Sequence, residues 1–492
     1  MVIIMNEIST NLKENLSKIK SVLGKSNDIV IREFTIGKDE RIEAFIIYID
    51  GLSDDDTVNS IILKSLMIDV RIADIKLSNG KNIDWFDIIK RHSLAFGEID
   101  ELSDIDKVYE SVLAGETVLL IDSCNKAISI DSKKWAQRGI EEPTTQNVIK
   151  GPKDGFTETL RTNTALLRRR VKNRNLIFED YRLGEQSQTD VSLIYIKGIV
   201  DEDVLSVVKN KLQNMNIEFV VGSAIIEDYL QGDKVSPFPI IYSSERPDFV
   251  ATALMRGKLA ILVDGTPFAS ILPAVFTNFF QTTEELYVRN YTGSFLMFIR
   301  FISYIIALLT PGVYCAILTF HQEMLPTALY ISIAAQRQRV PFPIAFEAFI
   351  LELIFDILRE AAVRMPRAVG PTISIVGALI LGQASIEAGI FSPILIIVVA
   401  ITAIATYVCP SYIMANASRL LRYVMLALGT TLGLPGLISG IIVTIFYLCS
   451  INSFGVPYME PFVPKTMAPK NTPIDPKIKN IFKLILKNLI KK

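Results

Sequence analysis

Between Phe342 and Met365 an apolar stretch of the chain carries Glu347, Glu352, Asp356, Arg359, Glu360 and Arg364. Wound as a helix at about 100° per residue, it gathers Glu352, Asp356, Arg359 and Glu360 within an arc of about 100°. Phe346, Phe349, Ile350, Leu353 and Ile357 form an apolar side that overlaps and adjoins this arc. An ionisable group near a bilayer centre costs several kcal/mol and normally faces protein or water. Four readings of the stripe stay open. It lines an aqueous pore whose carboxylates, Glu347 included, select cations. It relays protons. It is a static set of ion pairs, in which Asp356–Arg359 and Glu360–Arg364 are favourable helix neighbours. Or the helix lies on a membrane surface. Gln383 and Glu387, spaced (i, i+4), are secondary candidates for the same path.

Other chemistry is sparse. Gly24-Lys25-Ser26 ends like a phosphate loop, but Ile19 stands where the first glycine is needed. No HExxH, GxSxG or helix-opening GxGxxG occurs. His92 and His321 are far apart, and Cys124, Cys315, Cys409 and Cys449 show no metal-ligand spacing. Asp122 and Asp264 end expected strands, where a binding residue or a plain turn residue fits equally. With no nucleophile–base set, the expectation is a protein that is not an enzyme and has no metal and no cofactor.

These residues sit in a chain of two characters. Its 51 Lys+Arg and 52 Asp+Glu leave a net charge of −1, which gives no pull toward nucleic acid. From Tyr291 to Glu460 there are 8 Arg, 7 Asp+Glu and no Lys. That division excludes a purely soluble enzyme, a disordered chain and a disulfide scaffold. Phe301–Gln322 is uncharged and long enough for a bilayer core of about 30 Å, with Arg300 free to snorkel or face protein. Met324–Gln336, interrupted by Pro326, suits an interfacial or re-entrant segment. Ala368–Ile386 and Ala388–Ser418 are further runs, the latter with ends marked by Pro393 and Pro410. Tyr423–Met459 is too long for one span, and Gly433-Leu434-Pro435-Gly436 should fold it into a hairpin. Arg359, Arg364, Arg367, Arg419, Arg422 and the eight lysines of residues 465–492 fit one inner face, whereas Arg337 and Arg339 fall on the wrong side. Residues 478–490 have the pattern of a basic amphipathic helix on an anionic leaflet, a contact with membrane lipids.

The first 290 residues contain no spanning run, and the opening MVIIMNEISTNLKENL lacks the apolar core of a signal peptide. This soluble part is expected on the side where it is made. It reads as a duplicated α/β unit. Ile46–Gly51, then acidic Ser53–Asp56, then Val58, Ile61, Ile62 and Leu66 at helical spacing, is repeated by Leu193–Gly198, Asp201–Asp203 and Val204, Leu205, Val208 and Leu212. Gly115 before Val118–Asp122 is repeated by Gly257 before Leu259–Asp264. The expected organisation is an N-terminal arm (1–27), subdomain 1 (28–142), a basic helical linker (143–185), subdomain 2 (186–290), a multi-span helical membrane domain (291–460) and a basic amphipathic tail (461–492). In the linker, Arg168, Arg169 and Arg170 either contact lipid headgroups or an acidic partner, or pair with the neighbouring subdomain.

Several stretches resemble one family: Lys150-Gly151-Pro152-Lys153-Asp154-Gly155-Phe156-Thr157-Glu158, Asn163 through Arg170, Ser244-Glu245-Arg246-Pro247-Asp248, Asp264-Gly265-Thr266-Pro267-Phe268, Phe279-Phe280-Gln281, and Leu358 through Arg367. The chain is similar to the A subunit of the GerA-type spore germination receptors from about Asp28 to Pro464. It departs from the family pattern at Lys153, where arginine is usual, and at Ile240, where glutamine is common. The resemblance implies a place in the spore inner membrane, with the N-terminal part facing the spore core. It implies a transporter-like B subunit and a C lipoprotein as partners, and nutrient sensing that leads to ion release. It also implies self-association into a pentameric ligand-gated channel for monovalent cations. Ala362 and Val363, near the inner end, are then candidates for an apolar constriction that closes by dewetting. Two alternatives stand beside it, a non-conducting scaffold for the partners and a secondary transporter.

Overall fold

The computed structural model describes residues 7–36, 42–54, 56–64, 66–67, 86, 99–133, 143, 146, 148, 150–232, 236–364, 382–460 and 462. Two compact units emerge, Met1–Asp233 with Ile241–Pro273, and Ala274–Ala468 with Lys234–Ile240.

The N-terminal unit holds two five-stranded antiparallel sheets of one design. The first repeat runs α1 (Leu12–Val22), β1 (Ile29–Ile36), β2 (Ile42–Ile49), β3 (Ile99–Leu102), α2 (Ile105–Leu113), β4 (Thr117–Ile121) and β5 (Ala127–Ile130), in spatial order β1-β2-β4-β5-β3. The second runs α3 (Leu160–Arg170), β6 (Leu176–Leu183), β7 (Thr189–Ile196), α4 (Glu202–Gln213), α5 (Ser223–Gln231), β8 (Tyr242–Ser244), α6 (Pro247–Met255), β9 (Leu259–Val263) and β10 (Ala269–Leu272), in order β6-β7-β9-β10-β8. Side chains alternate across a strand, so a sheet covered on both faces needs apolar residues throughout. Strand β2 obeys this: Phe45, Ile47 and Ile49 join the core with α1 and α2, while Ala44, Ile46 and Tyr48 join the opposite core with Val58, Ile62 and Leu66.

The duplication extends to individual hydrogen bonds. The Asp122 carboxylate accepts from the Leu12 amide at 3.3 Å, and Asp264 accepts from Leu160 at 2.9 Å. Each aspartate thereby caps the first turn of its repeat's leading helix. Buried Asn15 clasps both backbone groups of Ser9, and buried Asn163 clasps those of Thr157. Thus α3, within the basic stretch between the copies, holds in the second repeat the position that α1 holds in the first. The copies differ after β2: Thr57–Leu63 is wound as a π-helix, where the second repeat has the regular α4 capped by Asp201.

Arg168 joins the repeats. It is fully buried, and its Nε and Nη2 each donate to Asp28 at 2.9 Å. The guanidinium also lies 4.8 Å from the Phe178 ring centre. Arg170 pairs with Asp154, and Arg169 is exposed. Of the two readings of the basic stretch, Arg168 and Arg170 have the geometry of pairing within the N-terminal unit. Both side chains find their counter-ions there, and a buried guanidinium must be paired.

The second unit is helical. Its longer helices among the described residues are α7 (Asn290–Phe320), α8 (Thr327–Arg337), α9 (Ile344–Arg364), α10 (Pro393–Tyr407) and α11 (Tyr412–Ser450). Tyr291–Phe320 and Tyr412–Ser450 contain stretches with mean hydropathies of 2.0 and 2.1, and both helices are long and apolar enough to cross a membrane. The backbone of α11 leaves helical geometry at Gly433, where φ is 67°. The chain doubles back there. A Cβ on Gly440 would lie 2.9 Å from Met425 Sδ, whereas a straight helix would separate these residues by about 22 Å. The doubled helix lies against α7, and the crossing is tight. A Cβ on Gly429 would fall 2.5 Å from Gly312 O, so only two glycines let these backbones approach. Most of Ala368–Ile386, Arg367 and the whole of 478–490 lie outside the described residues.

Candidate functional site: an acidic helix met by arginines

Helix α9 starts after Pro343 and holds no glycine or proline, so its charges fall on a regular face. Its apolar side is exposed among the described residues. Phe346, Phe349, Leu353 and Ile357 are 49%, 45%, 41% and 59% exposed. The other side packs against the bundle, where Ala348 and Leu351 share a core with Cys315, Leu395, Val399 and Leu426.

The carboxylates on that packed side are taken by arginines of other helices. Glu347 is fully buried; Arg337 Nη1 stands 3.1 Å from its Oε2, and the Ser392 amide donates to its Oε1 at 2.6 Å. Ser392 caps α10, so Glu347 sits at a helix N-terminus, where partial positive charge favours an anion. Glu352, also buried, has Arg422 Nη2 at 3.1 Å from its Oε2. The same Nη2 lies 3.5 Å from Asp356 Oδ1, which accepts from Arg419 at 3.4 Å. Tyr423 OH donates to Asp356 Oδ2 at 2.7 Å. Arg422 thus stands between two carboxylates that would otherwise repel each other.

The expected Asp356–Arg359 pair is corrected. Arg359 turns away, its guanidinium 5.2 Å from the Tyr407 ring centre and 5.9 Å from that of Tyr412, and arginines from α11 occupy Asp356 instead. Glu360 and Arg364 do pair, at 2.7 Å on the surface. Ala362 and Val363 are exposed at the end of the described helix. Gln383 donates to Glu387 at 3.1 Å in an exposed position. Arg300 faces protein, bonded to the Phe280 carbonyl and the Glu285 carboxylate.

Asp356 and Glu360, with Asn416, Arg419 and Tyr423, line an open depression of ≈ 440 Å³, and Ile357 and Leu420 complete its wall. Among the described residues, both Glu352 carboxylate oxygens and Arg422 Nε and Nη2 are buried without an aligned hydrogen-bond partner. The site can hold charge inside an apolar bundle and has hydrogen-bonding capacity to spare.

In the sequence Arg337, Arg419 and Arg422 read as markers of membrane orientation, and Tyr423 and Ser392 do not stand out. One signal was available: between Tyr291 and Glu460 there are 8 Arg and no Lys. Arginine is favoured over lysine for buried ion pairs, because its planar guanidinium is more weakly hydrated and its donors are preorganised.

Residues 17–481 match the family model described as Bacillus/Clostridium GerA spore germination protein. Spore germination protein KA of Bacillus subtilis (strain 168) is 41% identical over 457 residues, covering 93% of this chain and 82% of that protein. Spore germination protein GerLA of Bacillus cereus is 35% identical over 458 residues, covering 93% and 91%. The crystal structure of the N-terminal domain of the A subunit of the Bacillus megaterium spore germinant receptor GerK3 is 33% identical, with a TM-score of 0.44, and covers 55% of this chain and 98% of that one. The chain belongs to the GerA family of Bacillus and Clostridium spore germination proteins.

Proposed function

We propose that this chain is the A subunit of a nutrient germinant receptor in the spore inner membrane, and that α9 contributes to a monovalent-cation path shared by several copies arranged as a ring. The observation that carries the reading is the Glu352–Arg422–Asp356 group. It places three charges in an apolar bundle and leaves buried polar atoms without aligned partners. Such groups draw in water, because an unsatisfied buried charge costs several kcal/mol. Water reaching Glu352 from the Asp356–Glu360 depression would begin a path that cations can follow. In the ring, Ala362 and Val363 form the apolar gate, and Gln383 and Glu387 belong to its approach.

The N-terminal unit faces the spore core, and a transporter-like B subunit and a C lipoprotein complete the receptor. Nutrient binding on a partner opens the path only as far as it binds the open ring more tightly than the closed one. Helix α9 has a direct mechanical handle for this. Moving α11 relative to α9 carries Arg419 and Arg422 away from the carboxylates and exposes their negative charge.

A second reading has an observation of its own. Glu347, Glu352 and Asp356 each have an arginine within 3.5 Å, as a static scaffold would require. Cation flux from liposomes holding the assembled receptor separates the two. With Glu352→Gln and Asp356→Asn together, flux should fall while assembly persists. Unchanged flux at normal assembly would remove both residues from the path and leave the scaffold.

A further inference from the structure

The two repeats of the N-terminal unit are unequally covered. After β2, Gly51 and Leu52 lie under α3. A Cβ on Gly51 would stand 3.2 Å from Arg161 O and 3.3 Å from Ala165 Cβ, and Leu52 is 1% exposed. Leu113, the last residue of α2, is 6% exposed. The counterparts in the second repeat are bare. Among the described residues Gly198 after β7 has no neighbour within 4 Å of its added Cβ; Ile199 is 41% exposed, and Met255, the last residue of α6, is 53% exposed. Two large apolar side chains stand in solvent where the first repeat buries theirs.

The charges differ as well. In the first repeat Asp28, just before β1, and Asp50, just after β2, receive Arg168 and Arg161 of α3. The matching residues around β6 and β7 are Asn175 and Lys197. Lys197 and Lys25 are both exposed, and the nearby positive charge of Lys197 holds the Lys25 pKa below the usual lysine value. The acids that seat a helix on the first repeat are thus replaced by a neutral residue and a base.

We infer that this face of the second repeat docks an amphipathic helix of a partner protein, with acidic residues on Lys25 and Lys197 and small or apolar side chains over Gly198, Ile199 and Met255. The form of the occupant follows from the first repeat, whose corresponding face seats the helix α3. Its charge follows from the lysine pair, which a carboxylate relieves. A second copy of this chain is the obvious internal candidate, because α1 is the counterpart of α3. Its matching positions, however, carry Lys13 and Lys20 where α3 has Arg161 and Arg168. Lysines set against Lys197 repel, and Lys20 already pairs with Glu33. The inference needs no ion conduction and stands whether or not the channel reading does.

The test uses the full chain assembled with its receptor partners, carrying a photo-crosslinking phenylalanine analogue in place of Ile199. Irradiation should yield an adduct whose peptide maps to an acidic helical segment of another protein. Lys25→Glu with Lys197→Glu should lower that yield by at least about tenfold. Changing the mapped acids to lysine should restore it in the charge-reversed chain. Both lysines are exposed, so the reversed chain should melt as the parent does. An adduct with a second copy of this chain, an adduct with lipid, or a yield indifferent to charge reversal would each overturn the inference, as would no adduct at all.

Discussion

Arg168, Arg246, Arg300, Arg359 and Arg422 are buried side chains with large desolvation costs, and each meets an acid or a ring: Asp28, Asp248, Glu285, the Tyr407 and Tyr412 rings, and Glu352. Removing one member of such a pair costs about 3–5 kcal/mol, because the other is left charged and buried. Arg422→Ala should therefore lower the melting temperature of the detergent-purified chain strongly. Adding Glu352→Gln should recover part of the loss; no recovery would mean that Arg422 acts through packing alone. Arg168→Lys keeps the charge but loses the two-pronged contact with Asp28. It should destabilise the N-terminal unit by at least about 1 kcal/mol, read as an earlier unfolding transition. Glu227 supplies a pH prediction. Burial pushes its pKa above the usual carboxylate value, and hydrogen bonds from Ser270 and Ser243 only partly oppose this. A raised native pKa means that the folded state holds its proton longer. That contribution to stability is complete below the ordinary value and is lost as pH rises through the folded pKa. Glu227→Gln should thus gain on the parent as pH rises above about 4.5. A melting difference independent of pH would show that Glu227 is not the titrating group.

Among the elements, the α7–α11 crossing and the turn at Gly433 shape the helical unit. Gly429→Leu would drive a side chain into Gly312 of α7 and should cost at least about 1–3 kcal/mol. Its readout is lower thermal stability in detergent, and an unchanged melting curve would mean that the helices separate freely. The break in the long apolar run was legible, because Gly-Leu-Pro-Gly is poor helix material whatever surrounds it. The Gly312–Gly429 contact was not, since single glycines in apolar runs give no sign of what approaches them. In the N-terminal unit, strand β2 and its counterpart β7 were legible as short apolar runs bounded by Gly51 and Gly198. Residues Val58 and Ile62 do reach the core, yet the segment that carries them is a π-helix. The (i, i+4) placement of two apolar residues suits both windings, so spacing alone could not choose between them.

At the scale of the whole molecule, a shared cation path requires several copies around it. The oligomeric mass of the purified receptor in detergent is the direct check: several A subunits per particle are expected, and a single copy would end the ring reading. The amino-acid sequence by itself determined the division into a charged part and an apolar part, the internal duplication and the kinship with spore germination receptors. Those properties reside in composition, in order along the chain and in local motifs, all present before folding. It also marked Glu347, Glu352 and Asp356 as unusual, because acids in an apolar run need a partner. Only the tertiary structure decided the partners. Arg337 went to Glu347, Arg422 to Glu352 and Asp356, and Arg359 to two tyrosine rings. A salt bridge depends on where two helices cross and how their faces turn, and no spacing within one helix contains that geometry.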